Sequence, residues 1–365
     1  MTSVAIARPD DWHIHLRDDD MLATVAPLSA QWFRYALVMP NLVPPIVTTA
    51  QAAAYRQRII DAVAGPEGSA SEGRAEGGFQ PIMALYLHDQ LAVDDLLAGV
   101  ADGVVHAVKY YPAGATTNSD GGGTSMLSFA PVLDAMASAR VPLLVHAEST
   151  DPAIDIYDRE RAFLDQELSA VLERWPELAV TVEHLSTGAG AQFVADHPSA
   201  RGTITPHHLS CDRSDLLANG LRPDLYCKPI INSAEDREAL VAAATSGSPD
   251  FFLGTDSAPH PSTDKYRGQV KPGIFNAPFA LPVVAEVFAQ ADALDQLEAF
   301  TSLNGCRHYG FDPARAKLRL TRNEAATDSA PIDTITTAGG ATVRLFGVRE
   351  AALWQIDHLV DSPTP

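Results

Sequence analysis

Short apolar segments alternate with longer amphipathic segments along most of the chain. Eight apolar runs are present, at residues 12–15, 35–39, 81–87, 104–109, 142–146, 180–184, 202–206 and 251–256. Between most of them lie stretches with helical periodicity, at residues 49–63, 93–100, 125–139, 158–174, 189–195 and 234–245. Buried strands that alternate with helices are typical of a parallel sheet. Eight such repeats predict an α/β protein whose sheet closes into a (β/α)8 barrel of the TIM type.

The rest of the chain adds little to this barrel. A Gly-, Ser- and Glu-rich stretch at 65–78 is typical of a solvated loop insertion. The tail from about 320 to 365, with short strands predicted within 334–346, is interpreted as an appendage that packs on the barrel. We find no internal repeat, so the sequence predicts one domain over residues 1–365.

Polar residues of catalytic type recur at one end of the predicted strands. They are His13, His15, Asn41, Lys109, His146, His184 and Asp256. In such barrels the active site lies at the carboxyl ends of the strands, where these residues would meet. A single histidine at a strand end is more often a hydrogen-bonded structural group. Recurrence at the same end of several strands instead predicts a functional site.

The residue types in this set favour a metal site. Four imidazoles and one carboxylate suit a divalent ion such as zinc. Two metal ions close together would need a shared anionic ligand, and we see no spare carboxylate at a strand end. Lys109 is the candidate, because a neutral amine can add carbon dioxide to give a carbamate with two oxygens. On the residues alone, a structural Lys109 paired with Asp256 is the stronger interpretation.

Composition and charge indicate which partners and which cellular compartment the protein has. The net charge of −20 argues against nucleic acid or an anionic membrane surface as a partner. It leaves room for a small anionic substrate, since a few cations can dominate a pocket. The three cysteines show no Cys-x-x-Cys spacing, which suits a reducing cytosol. No apolar run reaches about 18 residues, so we predict a cytoplasmic protein without a membrane span.

Several longer motifs carry a family resemblance. They are RPDDWHIHLRD (8–18), VMPNL (38–42), KYYPA (109–113), ATTNS (115–119), PLLVH (142–146), LYCKPI (225–230), GTDSAPH (254–260) and FNAP (275–278). In order and spacing they resemble the amidohydrolase superfamily, and within it the shorter, bacterial-type dihydroorotase family. The likeness runs from about residue 8 to 310.

The resemblance implies a binuclear centre with two Zn²⁺ per subunit, bridged by an N6-carboxylated lysine and a hydroxide. Matched position by position, its ligands are His13, His15 and Asp256 for one ion, His146 and His184 for the other, and Lys109 as the bridge. It also implies that Asp256 is the catalytic residue that moves a proton. With the family motifs considered, the carboxylated form of Lys109 becomes the favoured interpretation.

For substrate, the resemblance implies that Arg17, Asn41 and His260 bind a carboxylate. An arginine presents a planar fork of donors that matches a carboxylate, which agrees with this role. The alternative for Arg17 is a surface salt bridge with Asp18 or Asp19.

Four further residues are expected to contact substrate by the same resemblance. Thr116 and Thr117 would belong to a lid, although the surrounding composition alone indicates only an ordinary mobile loop. Lys228 and Pro272 would contribute main-chain contacts. Lys228 departs from the family pattern, since many relatives carry leucine there.

The activity implied is reversible hydrolysis of L-dihydroorotate to N-carbamoyl-L-aspartate, running toward ring closure in pyrimidine synthesis, by a homodimer. One alternative is another cyclic amidohydrolase, such as a hydantoinase, dihydropyrimidinase or allantoinase. Those relatives usually carry a β-rich segment before the His-x-His motif, whereas 12 residues precede it here. The second alternative is a catalytically inactive barrel scaffold, which would have lost ligands, yet all six ligand positions are filled.

Overall fold

The computed structural model describes residues 2–65, 78–218, 220–323 and 332–359. Most of the insertion predicted at 65–78, and parts of the tail, lie outside these ranges. The strands are β1 (Ser3–Ala7), β2 (Asp11–Ile14), β3 (Tyr35–Val38), β4 (Gln80–Tyr86), β5 (Val105–Tyr110), β6 (Leu143–Val145), β7 (Val180–Val182), β8 (Ala200–Ile204), β9 (Phe251–Leu253), β10 (Lys317–Arg322), β11 (Thr334–Thr336), β12 (Thr342–Arg344) and β13 (Trp354–Leu359).

Strands β2 to β9 form one parallel sheet in sequence order, and each corresponds to one of the eight predicted apolar runs. The sheet closes where Ile14 pairs with Ser257 in a parallel bridge. Across the same seam the amide of Asp256 donates to the carbonyl of His13 at 2.8 Å. The predicted (β/α)8 barrel is confirmed.

The α-helices surround the barrel or extend its loops. They are α1 (Asp19–Ala30), α2 (Thr49–Ala64), α3 (Val93–Ala101), α4 (Ala130–Ala139), α5 (Arg159–Phe163), α6 (Ser169–Arg174), α7 (Gly188–Asp196), α8 (Pro206–Ser210), α9 (Arg213–Leu217), α10 (Ala234–Thr245), α11 (Ser262–Lys265), α12 (Ala280–Gln290), α13 (Asn304–Tyr309) and α14 (Val348–Leu353). Short 3₁₀ segments occur at Met126–Phe129, Pro223–Leu225, Ala277–Phe279 and Leu294–Gln296, and π-helical turns at Leu164–Leu168 and Ala299–Leu303.

Alternation along the barrel strands separates two sets of buried side chains. One set packs inside the barrel and includes Trp12, Leu37, Ile82, Ala84, Ala107, Leu144 and Phe252. The neighbouring positions belong to the larger cluster between the strands and the helices. Side chains two residues apart on a strand share a face. Lys109 follows Ala107 by two and His146 follows Leu144 by two, so both side chains are directed to the inside.

A second sheet differs from the sequence prediction. It has the order β1-β10-β13 and is antiparallel, so the appendage includes an N-terminal strand that we did not predict. The predicted short strands of the tail are present as the hairpin β11–β12. Glu286 of α12 fastens this sheet to the barrel, because it accepts hydrogen bonds from Arg322 and from Trp354 Nε1 at 2.9 Å. Among the described helices, none is long and apolar enough to cross a membrane.

Candidate metal and substrate site

A small cavity lies at the carboxyl ends of the barrel strands. Its lining includes His15, Arg17, Asn41, Tyr111, Thr116, Thr117, His146, His184, Lys228, Asp256, Ala258, Pro272 and Gly273. Ten of the predicted site residues are in this set. The other three lie beside it: His13 adjoins Asp256, Lys109 Nζ lies over the ring of Tyr111, and His260 contacts Arg17.

One group of metal-type donors comes from the two ends of the barrel sheet. His15 Nε2 lies 3.1 Å from Asp256 Oδ1, and His13 Nε2 lies 3.5 Å from the same oxygen. Tetrahedral zinc with bonds of about 2.0–2.1 Å places two of its donor atoms about 3.3 Å apart. The three donors therefore have the spacing of ligands on one ion.

A second group faces the first. His146 Nδ1 lies 3.0 Å from His184 Nε2, again the separation of two donors that share an ion. The rings of His184 and His13 are 4.9 Å apart between centroids, so the two groups adjoin. Burial lowers the pKa of His13 and of His184 well below the ordinary value. These imidazoles are therefore neutral, the form that binds a metal.

Lys109 lies fully buried beside both groups. Its Nζ has no hydrogen-bond partner in the described part of the chain, and no ion pair joins it to Asp256 there. Loss of hydration lowers the pKa of Lys109 to about 8, which makes the neutral amine accessible near neutral pH. The Nε2 of His13 is likewise buried and has no hydrogen-bond partner among the described residues. Buried nitrogens without hydrogen-bond partners lower the stability of the fold. Bound metal ions would supply the missing partners, so this donor set fits a metal site.

Two carboxylates of the site were not predicted from the sequence, where no spare carboxylate was apparent at a strand end. Glu183 directly follows β7, and its Oε2 accepts from Thr203 Oγ1 and lies 2.7 Å from His13 Nδ1. Glu148 Oε2 lies 3.0 Å from His146 Nε2. Both glutamates contact the outer nitrogens of the histidines, so they support predicted ligands. Their closeness in sequence to His184 and His146 was the available signal.

Asp11 joins the first and last barrel strands beneath this site. Its carboxylate accepts hydrogen bonds from Thr255 N at 2.8 Å, from Thr255 Oγ1 at 2.6 Å and from His13 N at 3.2 Å. Complete burial raises the pKa of Asp11 to about 7 despite these bonds. Asp11 thereby ties the backbone of His13 to the strand that leads into Asp256.

Two of the predicted carboxylate-binding residues, Arg17 and His260, are in contact with each other. Arg17 Nη2 lies 3.0 Å from His260 Nε2, and Arg17 Nε donates to the carbonyl of Pro259 at 3.0 Å. The salt bridge considered for Arg17 is not formed with Asp18, which binds Arg58 at 2.8 Å instead. Arg17 therefore faces the cavity in a fixed orientation.

The loop with the two threonines is fastened over the cavity by Asn41. Asn41 Nδ2 donates to the carbonyl of Thr117 at 2.9 Å, and Asn118 Nδ2 donates to the carbonyl of Asn41 at 3.0 Å. Thr116 N is bound in turn by Ser119 Oγ at 2.9 Å. Thr117 Oγ1 is buried without a partner in the described residues. The loop is thus packed on the site rather than solvated.

Three of the predicted site residues adopt a left-handed backbone. The φ angles are +61° at Arg17, +43° at His184 and +45° at Asp256. Non-glycine residues avoid this region, and exceptions concentrate at functional sites. At each position the chain has just left a strand, and the unusual backbone turns the side chain toward the cavity.

A second cluster of metal-type donors is formed by His207, His208 and Cys227. It fits a cation less well. His208 Nε2 and Cys227 Sγ each lie 3.2 Å from the carbonyl of Pro229. Burial lowers the pKa of His207 well below its ordinary value, and the positive charge of the nearby buried Lys265 lowers that pKa further.

Comparison with known proteins agrees with this geometry. Residues 9–314 match the Amidohydrolase family. The dihydroorotase of Ruegeria pomeroyi is 47% identical, over 97% of this chain and 99% of that protein. The chain belongs to the amidohydrolase family, among the dihydroorotases. The family resemblance inferred from the motifs is confirmed.

Solved amidohydrolase structures show the same fold. The dihydroorotase of Campylobacter jejuni has a TM-score of 0.83 and 32% identity, covering 98% of this chain and 97% of that one. The dihydroorotase of Saccharomyces cerevisiae, solved in complex with 5-fluoroorotic acid, has a TM-score of 0.85 and 27% identity, covering 98% and 99%.

Proposed function

We propose that this member of the dihydroorotases carries out its reaction in the cavity at the carboxyl ends of the barrel strands. It would interconvert L-dihydroorotate and N-carbamoyl-L-aspartate, with ring closure as the direction used in pyrimidine synthesis. The observation that carries the proposal is the shared cavity, which is lined by metal-type donors together with Arg17 and Asn41. The curated relatives of nearly equal length that bear the dihydroorotase name support the choice of ring.

The proposal includes two zinc ions per subunit. His13, His15 and Asp256 would hold one, and His146 and His184 the other. The donor spacings of 3.0–3.5 Å support this assignment. Zinc bound here would supply the Lewis acidity that lowers the pKa of water and polarises a carbonyl group.

Carboxylated Lys109 would bridge the two ions. In forming the carbamate, the neutral amine nitrogen bonds to the carbon of carbon dioxide as one C=O π bond opens, and one N–H proton passes to water, so a neutral amine becomes an anion with two oxygens. The lowered pKa of Lys109 supports this step, because only the neutral amine is a nucleophile. Its lack of a hydrogen-bond partner among the described residues supports it as well.

The remaining chemistry is assigned to side chains that border the cavity. Asp256 would accept the proton of the attacking water and return it to the ring nitrogen that leaves. Arg17, Asn41 and His260 would bind the substrate carboxylate, with the guanidinium as the charged partner. Thr116 and Thr117 would contact substrate from the loop above, and Lys228 and Pro272 from the main chain of the rim.

The deciding experiment compares three substrates on the purified, zinc-loaded protein. Dihydroorotate should be hydrolysed with the highest kcat/KM. Dihydrouracil is the matched control, because it has the same ring without the carboxylate that Arg17 would bind. Hydantoin tests the alternative ring size. Faster turnover of hydantoin or dihydrouracil would assign the chain to another cyclic amidohydrolase, and no turnover of any ring would favour an inactive scaffold.

We also propose that residues 1–365 act as one domain in a cytoplasmic homodimer. The net charge of −20 and the family resemblance support a protein that works free of membranes and nucleic acid. Light scattering on the eluting protein measures the subunit number, and a monomeric mass would contradict the dimer.

A further inference from the structure

Lys228 brings a second cationic side chain to the cavity. Its Nζ lies 2.5 Å from Glu148 Oε1, and both side chains are nearly excluded from solvent, at 10% and 3% exposure. The other oxygen of Glu148 lies 3.0 Å from Nε2 of His146. Lys228, Glu148 and His146 therefore form a continuous chain of polar contacts that ends at the candidate metal donors.

The contacts of His146 define its tautomer. A neutral imidazole carries one N–H, and a hydrogen bond from Nε2–H to the Glu148 carboxylate leaves the lone pair on Nδ1. That Nδ1 is the atom that lies 3.0 Å from His184 Nε2. The orientation of Glu148 thus decides whether His146 presents a lone pair or a proton to the metal.

We propose that the side chain of Lys228 is a positioning residue of the metal site. It holds one oxygen of Glu148 so that the other receives the proton of His146 and keeps Nδ1 directed at the ion. This deepens the proposed function, since it rests on His146 being a zinc ligand. It differs from the main-chain contact that the family resemblance implies for residue 228, because the ammonium is the acting group.

The need for Lys228 follows from the burial of Glu148. A carboxylate removed from water requires a compensating charge or several donors. In the described residues, Lys228 and His146 supply the side-chain contacts of Glu148. Leucine at this position would leave Oε1 without this cation.

The first histidine pair offers an internal comparison. Glu183, which supports His13, is held by the neutral hydroxyl of Thr203 at 2.7 Å. The two sides of the site therefore use different second partners for equivalent carboxylates. Substitution of Lys228 should therefore weaken zinc binding at the His146 site and leave the His13 site unchanged.

The test measures zinc affinity directly, by chelator competition on the metal-free protein, together with kcat and KM. Outer partners of metal ligands typically contribute 10- to 100-fold to affinity, so Lys228→Leu should weaken one of two zinc sites by roughly 10-fold. The kcat for dihydroorotate should fall while KM stays close to that of the wild type. Lys228→Arg should restore most of the affinity. Lys317→Leu, the same change on an exposed strand position, is the control and should alter neither quantity.

A double-mutant cycle with Glu148→Gln shows whether Lys228 acts through Glu148. Once Glu148 is neutral, adding Lys228→Leu should cause little further loss of zinc affinity. Unchanged affinity in Lys228→Leu, or fully additive losses in the double variant, would overturn the inference. A rise confined to KM would also overturn it, by showing direct contact with substrate. If the Lys228→Leu variant does not fold, the test uses Lys228→Met, which keeps most of the aliphatic part of the lysine side chain.

The outcome is separable from that of the substrate assay. Zinc affinity is measured without turnover. A protein that does not hydrolyse dihydroorotate would contradict the proposed function, but the zinc affinities of the wild type and the Lys228 variants could still be compared. If the protein hydrolyses dihydroorotate and its zinc affinity does not change when Lys228 is substituted, only the role of Lys228 is contradicted.

Discussion

Glu183 Oε2 lies 2.7 Å from His13 Nδ1, inside the barrel and out of contact with solvent. Because Nδ1 carries the proton of this hydrogen bond, the lone pair of His13 is on Nε2, which faces Asp256 at 3.5 Å. A residue that sequence reasoning overlooked thus determines which nitrogen of a predicted ligand is available.

The first prediction concerns this contact. Glu183→Gln keeps the size of the side chain but removes its charge, so it should reduce zinc affinity about 10-fold, as for other outer partners of metal ligands. Chelator competition measures the change. Glu286→Gln replaces a buried carboxylate far from the cavity and serves as control. Equal zinc affinity in the Glu183 variant and the wild type would show that the carboxylate has no part in metal binding.

A second prediction addresses the substrate carboxylate. Lysine cannot reproduce the bidentate fork of Arg17, and a hydrogen bond to a charged group contributes about 1.5–3 kcal/mol, so Arg17→Lys should lower kcat/KM by roughly 10- to 100-fold. Zinc content should remain normal by elemental analysis. Arg58→Lys, the same change on an exposed arginine, is the control. Wild-type kinetics in Arg17→Lys would remove Arg17 from the substrate site.

Asp256→Asn separates proton transfer from substrate binding. Asparagine preserves volume but cannot accept the proton, and loss of a general base typically costs about 10²-fold or more. Turnover should fall at least that far in both reaction directions, since the same group serves both. Kinetics measured on dihydroorotate and on carbamoyl aspartate check this. A variant that retains either rate would place the base elsewhere.

The riskiest prediction is the carboxylation of Lys109. Lys109→Ala should lose zinc and activity together, and an added short carboxylic acid should partly restore both by replacing the carbamate oxygens. ¹³C-labelled bicarbonate should give a carbamate NMR signal in the zinc-loaded wild type that the variant lacks. An unmodified amine at Lys109 in a protein with two bound zinc ions would disprove the bridge.

The last prediction concerns acid stability and the attachment of the second sheet. Hydrogen bonding from Arg322 lowers the pKa of Glu286 from an ordinary value near 4.5 to about 2. A carboxyl group with a lowered pKa stabilises the fold above its unfolded pKa, and this contribution is lost as the pH falls through the folded value. The wild type should therefore have a higher Tm than Glu286→Gln at pH 6, and this difference should decrease as the pH falls from about 4.5 to 2. A difference independent of pH would show that this carboxylate does not titrate there.

The barrel was predictable because its signal is local. Strands that are buried on both faces appear in the sequence as apolar runs. Alternation of side chains along these strands places Lys109 and His146 on the inner face of the barrel. Among the described α-helices that the sequence did not predict, the two longest escaped detection for physical reasons. Helix Asp19–Ala30 contains Pro27, which conceals the helical pattern. Helix Ala280–Gln290 is buried along nearly its whole length, so it shows no polar face.

The contacts that refine the site were not predictable from the sequence. Glu148 and Lys228 are 80 residues apart, and only the folded loops bring them together. Glu183 lies just past the end of a strand, where period-two alternation no longer fixes the direction of a side chain. Strand Ser3–Ala7 is short and half exposed, and its partner Lys317–Arg322 lies far along the chain. Such long-range pairings leave no local pattern.

The closure of the barrel at Ile14 and Ser257 has a consequence for synthesis on the ribosome. Until residue 257 has emerged, the first strand has no neighbour on one side and the nascent sheet keeps an open edge, which invites aggregation. His15 and Asp256 meet only across that seam, at 3.1 Å. The pairing of Ser3 with Thr321, 318 residues apart, must come later still. Assembly of the donor group is therefore a late event, and a nascent chain interrupted before the ninth strand has neither a closed barrel nor a complete set of ligands.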